Sequence, residues 1–363
     1  MMMALRGKPV WFVWHVPVWH VFMVLVTALT LTLACGAAQA DSVAPPEQRR
    51  GAEQTYLTFP EWYLVHSPAE YASYLAADRR PSDFPFWGHI GQLWSSYGHV
   101  TRATRDQPFN IGYHVMIVVI ASSTTVEYAL RSVYEVTIGR LFELTRMHGP
   151  TSEERYAAKT AQDYVDFIRV QPWYEFDFSA RLKAVWAETG SSGPDGLRKW
   201  ERKYALSTEY GVKALYAILI KKLTRAAYDA PRPTTAVLVD RWVDRLDGNW
   251  PEMQRVRSFP NGGELVLLPR YEAFKTVAIA IARSGANFAE VAGNGPDARI
   301  LISVIVPREW RPDSEGSASL FEQPILTMPE EKRVALTVPV RQLAQTLREL
   351  DGMQITVEHV YDY

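Results

Sequence analysis

The sequence contains a single cysteine, Cys35, among 363 residues. This residue lies before a predicted cleavage point after Ala40, so the chain that follows the cleavage point has no thiol. Without a thiol, that chain forms no disulfide, carries no cysteine nucleophile and holds no metal through cysteine. The formal net charge is also small, at −1. Because nucleic-acid binding requires a basic surface, we predict no nucleic-acid partner.

The sequence also lacks the short motifs that identify common enzyme classes. It contains no G-x-S-x-G nucleophile motif and no H-E-x-x-H zinc motif. It contains neither G-x-x-x-x-G-K-[ST] nor G-x-G-x-x-G, so nucleotide hydrolysis and dinucleotide binding are not predicted. The motifs therefore indicate no metal and no cofactor, and they favour a non-enzymatic protein.

The first 40 residues have the three parts of a secretory signal. Arg6 and Lys8 form a basic start, an uncharged apolar run covers residues 9–34, and Ala38-Gln39-Ala40 matches an A-x-A cleavage site. The run is also long enough to cross a bilayer as a helix. We predict a signal peptide over 1–40, with an uncleaved N-terminal membrane anchor as the alternative.

A third possibility concerns Cys35. The stretch LTLAC followed by Gly36 resembles a bacterial lipobox, in which the cysteine carries lipid, although Thr32 stands where leucine is usual. Lipidation would anchor the protein to a membrane. Each of the three possibilities puts the body outside the cytoplasm, since the basic residues precede the apolar run. The predicted location is the periplasm or the periplasmic face of the inner membrane.

The rest of the chain divides into three parts by its sequence patterns. Residues 41–54 are polar and contain Pro45-Pro46, which predicts a flexible linker. Residues 55–256 show helical periodicity and predict a helical domain. Residues 262–363 alternate strand-like and amphipathic helical segments in the order βαβ-β-(β)-αβ, with an insertion between the halves. The strand-like segments are ELVLLP, ANFAEVAG, RILISVIVP, RVALTVPV and MQITVEHVYDY. This order predicts an α+β fold with a ferredoxin-like C-terminal domain.

Residues 109–130 are apolar enough to suggest a membrane span. The uninterrupted apolar stretch covers only Val115–Ala121, well short of the ~20 residues that a span needs. A span over 109–130 would also place His114 and Glu127 in or near lipid, which costs free energy. We predict a buried helix instead, and a protein integral to the membrane through this segment is the alternative.

The helical pattern continues past residue 130 as an amphipathic helix. Its apolar residues are predicted to face the protein core, and its charged residues are predicted to form the opposite, polar face. The apolar set is Val126, Leu130, Val133, Val136, Leu141 and Leu144. The charged set is Glu127, Arg131, Glu135, Arg140 and Glu143. A second apolar stretch, Ala214–Ile220, is too short to span and is predicted to be core or interface.

Four phrases in the sequence form a recognisable set. They are TFPEWY (Thr58–Tyr63), DYVDFIRVQPWYEFDF (Asp163–Phe178), LRKWERKYALSTEYGVKA (Leu197–Ala214) and EHVYDY (Glu358–Tyr363). Together they resemble a family of bacterial exported or membrane-associated proteins of uncharacterised activity. The resemblance extends over most of residues 55–363 and implies that both parts belong to one architecture. It implies no activity and no catalytic residues.

Four histidines lie close together in the sequence. They are His66, His89, His99 and His114. Imidazole nitrogens on neighbouring helices bind divalent metals or haem iron, so an envelope enzyme, or a metal or haem protein, is one alternative function. Tryptophan and tyrosine residues adjoin three of these histidines, which favours hydrogen-bonded structural histidines instead.

Four acidic residues form a second candidate site. They are Asp163, Asp166, Glu175 and Asp177. The first two share a helix face because they are three residues apart. Paired carboxylates perform acid–base chemistry or hold a divalent cation. Arginines nearby in the sequence, among them Arg169 and Arg181, favour structural ion pairs instead.

Aromatic residues are concentrated in the first helical segments. Four of them are candidates for lining an apolar ligand groove, namely Trp62, Tyr63, Trp87 and Trp94. Helical spacing of aromatic residues equally indicates a packed core. Taken together, the sequence predicts an exported envelope protein that binds a partner protein or an apolar ligand without catalysis.

Overall fold

The computed structural model describes residues 42–190, 192–227, 232–242, 246, 250–312 and 317–363. The predicted signal segment over 1–40, including Cys35, lies outside the described residues. The N-terminal part is helical. Its main helices are α1 Gln54–Ala76, α2 Phe86–Ala103, α3 Ile111–Glu143, α4 Ser152–Ile168, α5 Phe178–Glu188 and α6 Gly196–Ala227.

Helix α3 is continuous but not uniform. It is a regular α-helix over Ile111–Tyr134, contains one π-helical turn over Glu135–Gly139 and ends with the turn Arg140–Glu143. Asn110 caps its start, since the Asn110 side chain accepts a hydrogen bond from the Tyr113 backbone N–H at 3.1 Å. The π-helical turn adds one residue to the helix without ending it.

The C-terminal part contains two four-stranded antiparallel sheets, so the fold is α+β as predicted. Sheet A consists of β1 Thr234–Val239, β2 Gln254–Ser258, β3 Glu264–Pro269 and β4 Phe288–Val291, with α7 Glu272–Arg283 between β3 and β4. Sheet B consists of β5 Arg299–Pro307, β6 Ala318–Pro324, β7 Glu331–Pro339 and β8 Thr356–Tyr361, with α8 Leu343–Gly352 between β7 and β8.

The two sheets repeat one topology. The strand order is β2-β3-β1-β4 in sheet A and β6-β7-β5-β8 in sheet B, and every neighbouring pair is antiparallel. Each half is therefore a β-β-β-α-β unit with the same order. The predicted ferredoxin-like topology is not confirmed, because it requires one sheet, whereas these strands divide between two.

The predicted boundary between the two parts differs from the observed one. Strands β1 and β2 fall inside 55–256, which was predicted to be helical, and β6 falls in the predicted insertion loop. Strand β1 is short and follows a long helix, so helical periodicity extended across it. Its central residues Ala236 and Val237 are fully buried between β3 and β4, and this pairing fixes the strand.

Residues 42–50 also differ from the predicted flexible linker. The Glu290 carboxylate on β4 accepts hydrogen bonds from Ser42 Oγ at 2.6 Å and from Ala44 N–H at 3.1 Å. Arg50 donates to Thr235 Oγ1 on β1 at 2.8 Å, and its backbone N–H donates to Ala292 O at 2.9 Å. These residues are therefore held on sheet A, and they connect it directly to α1.

Helix α1 joins the helical part to sheet B. Phe59 of α1 is fully buried against the rings of Phe321 on β6 and Tyr361 on β8. The Thr55 hydroxyl makes two hydrogen bonds across this junction, since it donates to Tyr361 O at 2.8 Å and accepts from Leu301 N–H at 2.9 Å. Apolar packing and backbone pairing therefore act at the same place.

We expect Thr55→Val to destabilise the protein by about 1–3 kcal/mol, because it leaves a buried backbone N–H and a buried carbonyl without a partner. Thr104→Val is the matched control, since the buried Thr104 hydroxyl bonds only to Val100 O within its own helix. Chemical denaturation measures both variants. Equal effects of the two substitutions would show that the Thr55 contacts do not hold the junction together.

Candidate functional site

Helices α3 and α6 lie antiparallel and meet through charged side chains. Glu127 on α3 pairs with Lys213 on α6 at 2.9 Å, and Arg131 pairs with Glu209. Lys213 also contacts Glu209 at 3.0 Å, so the four charges form one group. The residue numbers of the partners increase along α3 while they decrease along α6, as expected for antiparallel helices.

The same pairing continues through the π-helical turn of α3. Glu135 accepts two hydrogen bonds from the buried Arg202 guanidinium at 2.9 and 3.0 Å. Arg198, which is fully buried, donates to Gly139 O at 3.1 Å and to Glu201 at 2.8 Å. We call the set Glu127, Arg131, Glu135, Arg202, Glu209 and Lys213 the ionic seam. Glu135 and Arg202 are buried, whereas the other four are partly exposed, the Glu127 side chain at 41%. Each cation has a carboxylate partner, which offsets the cost of removing it from water.

The apolar side chains of α3 and α6 point away from the ionic seam and are exposed. Leu130 is 68% exposed and Leu215 is 72% exposed. We define the apolar face as the exposed residues of both helices. On α3 and directly after it its large apolar residues are Ile111, Val118, Val126, Leu130, Val133, Val136, Ile138, Leu141 and Leu144; on α6 they are Leu197, Trp200, Tyr204, Val212, Leu215, Ile218 and Leu219. Polar Ser122 and Thr208 interrupt the two rows.

This arrangement reverses the prediction for the amphipathic part of α3. The predicted core residues Val126, Leu130 and Val133 are exposed, and Glu135 and Glu143 of the predicted polar face are buried. Arg140 alone among the charged set stays largely exposed, beside Asp83. The helix that was predicted to be buried is therefore buried on one side only, and its other side is exposed to solvent. The reason is that the charges find partners on α6, and a helix with charges inward has its apolar side outward.

Both rows of the apolar face lie on the same side of the helix pair. Val126 and Leu130 each precede a seam residue by one position, and so does Val212 on α6. One residue is a rotation of about 100° around a helix. For two antiparallel right-handed helices, equal rotations away from the contact line point to the same side. The two rows therefore form one surface.

The apolar face is large for a protein surface. Its α6 row extends from Leu197 to Leu219, about 33 Å at 1.5 Å per residue. Two helices packed about 10 Å apart then present roughly 700 Å², above the 300–600 Å² of the largest patch on a typical monomer. Such patches commonly mark protein or membrane interaction sites. The apolar face is the candidate functional site.

Helix α3 is also the one helix of the described residues that is long and apolar enough to cross a membrane. It has 33 residues, and 22% of its most apolar window is buried inside the protein. The residues that are buried are few, and they include His114, Ile117 and Ala121 on the side that contacts α1 and α2. Length and composition alone leave both an embedded and a spanning helix possible.

A second cluster of charges lies buried where α1 meets sheet B. Arg333 on β7 donates to Glu358 on β8 at 2.6 and 2.8 Å and to Glu70 on α1 at 3.2 Å. His66 Nδ1 lies 3.3 Å from Glu358, and His66 Nε2 lies 3.2 Å from the Tyr361 hydroxyl. These contacts bring His66, from the predicted histidine region, beside Glu358, an acid that the sequence analysis did not identify as a candidate.

His89 extends this buried cluster towards α2. Its Nδ1 lies 3.1 Å from the Tyr63 hydroxyl and 3.0 Å from Ser67 Oγ, and its Nε2 lies 3.7 Å from Glu70. Burial lowers the pKa of both His66 and His89 to about 3, so both are neutral at pH 7. Burial raises the pKa of Glu70 to about 6.

The buried cluster has no access for a substrate among the described residues. His66 and His89 are 4% and 1% exposed, respectively. Two surface hollows lie elsewhere. One, of about 440 Å³, is lined by Thr276–Ser284 residues on and after α7, and the other, of about 310 Å³, lies between residues 174–179 and the C-terminal half of α6. The cluster therefore fits a structural role at the junction.

The remaining predicted histidines do not join the cluster. His99 stacks on Phe321 and contacts Arg102, while His114 stacks on Phe109 and bonds the Tyr97 hydroxyl at 3.0 Å. Over the described ranges, no three histidine, cysteine, aspartate or glutamate side chains are grouped to hold a metal ion.

Each predicted acidic candidate has a local partner. Asp163 bonds Lys159 at 2.7 Å and Arg181 at 2.9 Å, and Asp166 bonds Arg169 at 3.2 Å. The other two acids, Glu175 and Asp177, lie beside the smaller hollow. Glu175 pairs with Lys221 at 2.8 Å, and Asp177 caps α5 by accepting from Ala180 N–H at 2.8 Å. The four carboxylates do not converge on one point.

The four aromatic candidates for a ligand groove separate into two groups. Trp62 stacks on His359 with ring centroids 3.5 Å apart, and Tyr63 is fully buried beside His89. Trp87 and Trp94 are exposed on α2, at 60% and 37%. The first pair is core, so the four rings do not line one groove.

The two neutral histidines predict a stability that falls in acid. Unfolding restores a pKa near 6.5 to His66 and His89, so the unfolded chain binds more protons than the folded one below pH 6.5. Glu70 opposes this between pH 6 and 4.5, because its pKa is higher in the folded state. Between pH 6 and 4.5 these three groups together contribute a loss of about 1.4 kcal/mol per pH unit, from two histidines against one acid. Burial also lowers the pKa of His359, which adds to the loss.

We expect His66→Gln to flatten this dependence between pH 7 and pH 5, because it removes one of the two histidines that are neutral in the folded state. Denaturation at a series of pH values measures the slope. A wild-type unfolding free energy that stays constant over this range would contradict the buried, neutral state of the two histidines.

The ionic seam predicts a specific effect of a small substitution. A Cβ built on Gly139 overlaps the Glu135 carboxylate and lies 3.4 Å from Arg202 Nη2. Gly139→Ala therefore displaces a buried ion pair, and we expect a loss of about 3 kcal/mol or more.

The control for Gly139→Ala is Gly211→Ala on α6, where the added Cβ meets no atom within 4 Å. Replacing a helical glycine in open space should stabilise the protein by about 0.5–1 kcal/mol. Thermal unfolding of the two variants measures both changes in stability, which we expect to have opposite signs. A neutral Gly139→Ala would mean that the seam does not require the observed close approach.

Comparison of the chain with protein-family models, with curated proteins and with solved structures finds no match. The resemblance to exported bacterial proteins therefore stays a prediction from the sequence.

Proposed function

We propose that this protein is an exported envelope protein with a non-enzymatic binding or scaffold role, and that it binds through the apolar face. The observation that carries the proposal is the inverted packing of α3 and α6. Their charges pair with one another in the partly buried ionic seam, and their apolar side chains are exposed. Water is a poor environment for such a surface, so a partner that covers it gains the hydrophobic free energy of burial.

The N-terminal sequence supports the location. A basic start, an apolar run over 9–34 and the Ala38-Gln39-Ala40 site favour export to the periplasm or its inner-membrane face. The partner of the apolar face is then an envelope component with an apolar surface of its own, either a protein or lipid.

An envelope enzyme using the His66–His114 region is the alternative function. It would require an accessible cavity beside the buried histidines. The two hollows described above lie away from them, and His99 and His114 do not approach His66 or His89. No observation on the described residues favours this alternative.

We expect a photo-reactive amino acid placed at Leu215 to cross-link an envelope component in cells that produce the full chain. The same amino acid at Met353, an exposed residue after α8 in the C-terminal part, is the matched control and should give no adduct. Intact-mass analysis of the purified chain detects lipid as well as protein adducts. Equal labelling at both positions, or none at Leu215, would contradict binding through the apolar face.

A further inference from the structure

We infer that the apolar face binds a lipid bilayer and that α3 and α6 lie flat in the membrane surface. This inference rests on the proposed function and names the partner of the same face. A helix pair with its charges buried between the helices and its apolar residues outward has the polarity expected where one side meets lipid. The choice of a bilayer over another protein depends on the shape of the face, its aromatic residues and the sequence before Ser42.

The dimensions favour a flat orientation over a spanning one. Helix α3, with 33 residues, is about 50 Å long, whereas the hydrocarbon core of a bilayer is about 30 Å thick. A spanning α3 would carry Glu127, Arg131 and their α6 partners through that core. In the flat orientation, only the apolar face enters the membrane, and the ionic seam stays on its protein side.

The spacing of the rows favours a flat surface over a second copy of the chain. From Leu197 to Leu219 the row on α6 makes six turns, about 3.7 residues per turn, which is close to the 3.6 of a straight helix. A left-handed coiled coil with a partner helix requires a repeat near 3.5. On α3, Leu141 and Leu144 after the π-helical turn are exposed, as Leu130 before it is. The row on α6 is therefore straight and lacks the spacing of a left-handed coiled coil.

The aromatic residues of the face suit the boundary between lipid and water. Trp200 and Tyr204 lie in the α6 row, and exposed Trp186 on α5 contacts Trp200 with ring centroids 5.9 Å apart. Trp and Tyr concentrate at membrane interfaces because each has an apolar ring and a polar atom. Lys222 follows the row and is exposed, so it is available to a lipid headgroup, whereas Lys221 pairs with Glu175.

The N-terminal sequence offers a second membrane signal in the alternative in which residues 1–40 remain as an uncleaved anchor. The apolar run ends at residue 34, eight residues before Ser42. Ser42 and Arg50 both bind near β4, through Glu290 and Ala292, which are two residues apart. Three residues after Arg50, the Glu53 carboxylate accepts a hydrogen bond from Asn110, the cap of α3. In that alternative the run and the apolar face would act at one membrane, and two membrane signals bind more stably than one.

Site-specific fluorescence tests the orientation in the full chain. In a Cys35→Ser background, single substitutions Val126→Cys, Leu141→Cys, Leu197→Cys and Leu215→Cys each receive an environment-sensitive dye, and Met353→Cys is the control. None of the four face positions contributes a side chain to the ionic seam. The labelled proteins are reconstituted in vesicles of phosphatidylethanolamine and phosphatidylglycerol. Quenching is measured with nitroxides near the headgroup, with nitroxides at the bilayer centre and with aqueous iodide.

We expect the nitroxide near the headgroup to quench each of the four face labels at least about twice as strongly as the nitroxide at the bilayer centre does. The labels on the two helices should lie at similar depth. The Met353 label should respond only to iodide. A deep label in the middle of α3 with shallow labels at its ends would overturn the flat orientation in favour of a span.

Two further outcomes separate this inference from the proposed function. Face labels shielded from iodide and insensitive to lipid nitroxides would show a protein partner, such as a second copy, and would overturn only the bilayer. Face labels quenched by iodide as strongly as the Met353 label would overturn both.

Discussion

The pairing of α3 with α6 through Glu127, Arg131, Glu209 and Lys213 is the constraint on which the rest of the helical part depends. Lysine and arginine are buried at acceptable cost only beside carboxylates, so the two helices must turn these sides towards each other. On each helix the side chains turned away from the seam then face solvent, and here they are mostly leucine, valine and isoleucine. The exposed apolar surface is thus the necessary counterpart of a satisfied ionic interior.

The sequence predicts the elements of this fold better than the direction in which they face. Alternation and spacing identified β3, β5, β7 and β8 and the amphipathic helices α7 and α8, because those elements follow the usual rule of apolar inside and polar outside. The same spacing correctly marked two opposite sides on α3. It could not show which side is buried, since that depends on charges about 80 residues away on α6. Strands β1, β2 and β6 were missed because their pairing partners, rather than their own patterns, define them.

The histidines illustrate a similar limit in the candidate site. Clustering in sequence suggested metal or haem chemistry, and two of the four do approach acids, His66 with Glu358 and His89 with Glu70. Yet the acids come from α1 and from the last strand, and their pairing with Arg333 closes the junction between the helical part and sheet B. A polar network of this kind specifies how two parts of a chain fit, because any other orientation would leave buried charges unpaired. The sequence shows which residues are available for such a network, but it does not show that they meet or that they are buried from solvent.

The π-helical turn at Glu135–Gly139 has a consequence for how the chain tolerates length changes. A π-helical turn holds one residue more than the α-helical turn it replaces, so the helix keeps its phase on either side of it. Deleting one residue from this turn would therefore restore a regular helix and leave Leu141 and Leu144 on the same side. Deleting one residue elsewhere in α3 would rotate everything after it by about 100° and turn Glu143 away from Arg198. Among descendants of this gene, a one-residue deletion in α3 would survive most readily within this turn.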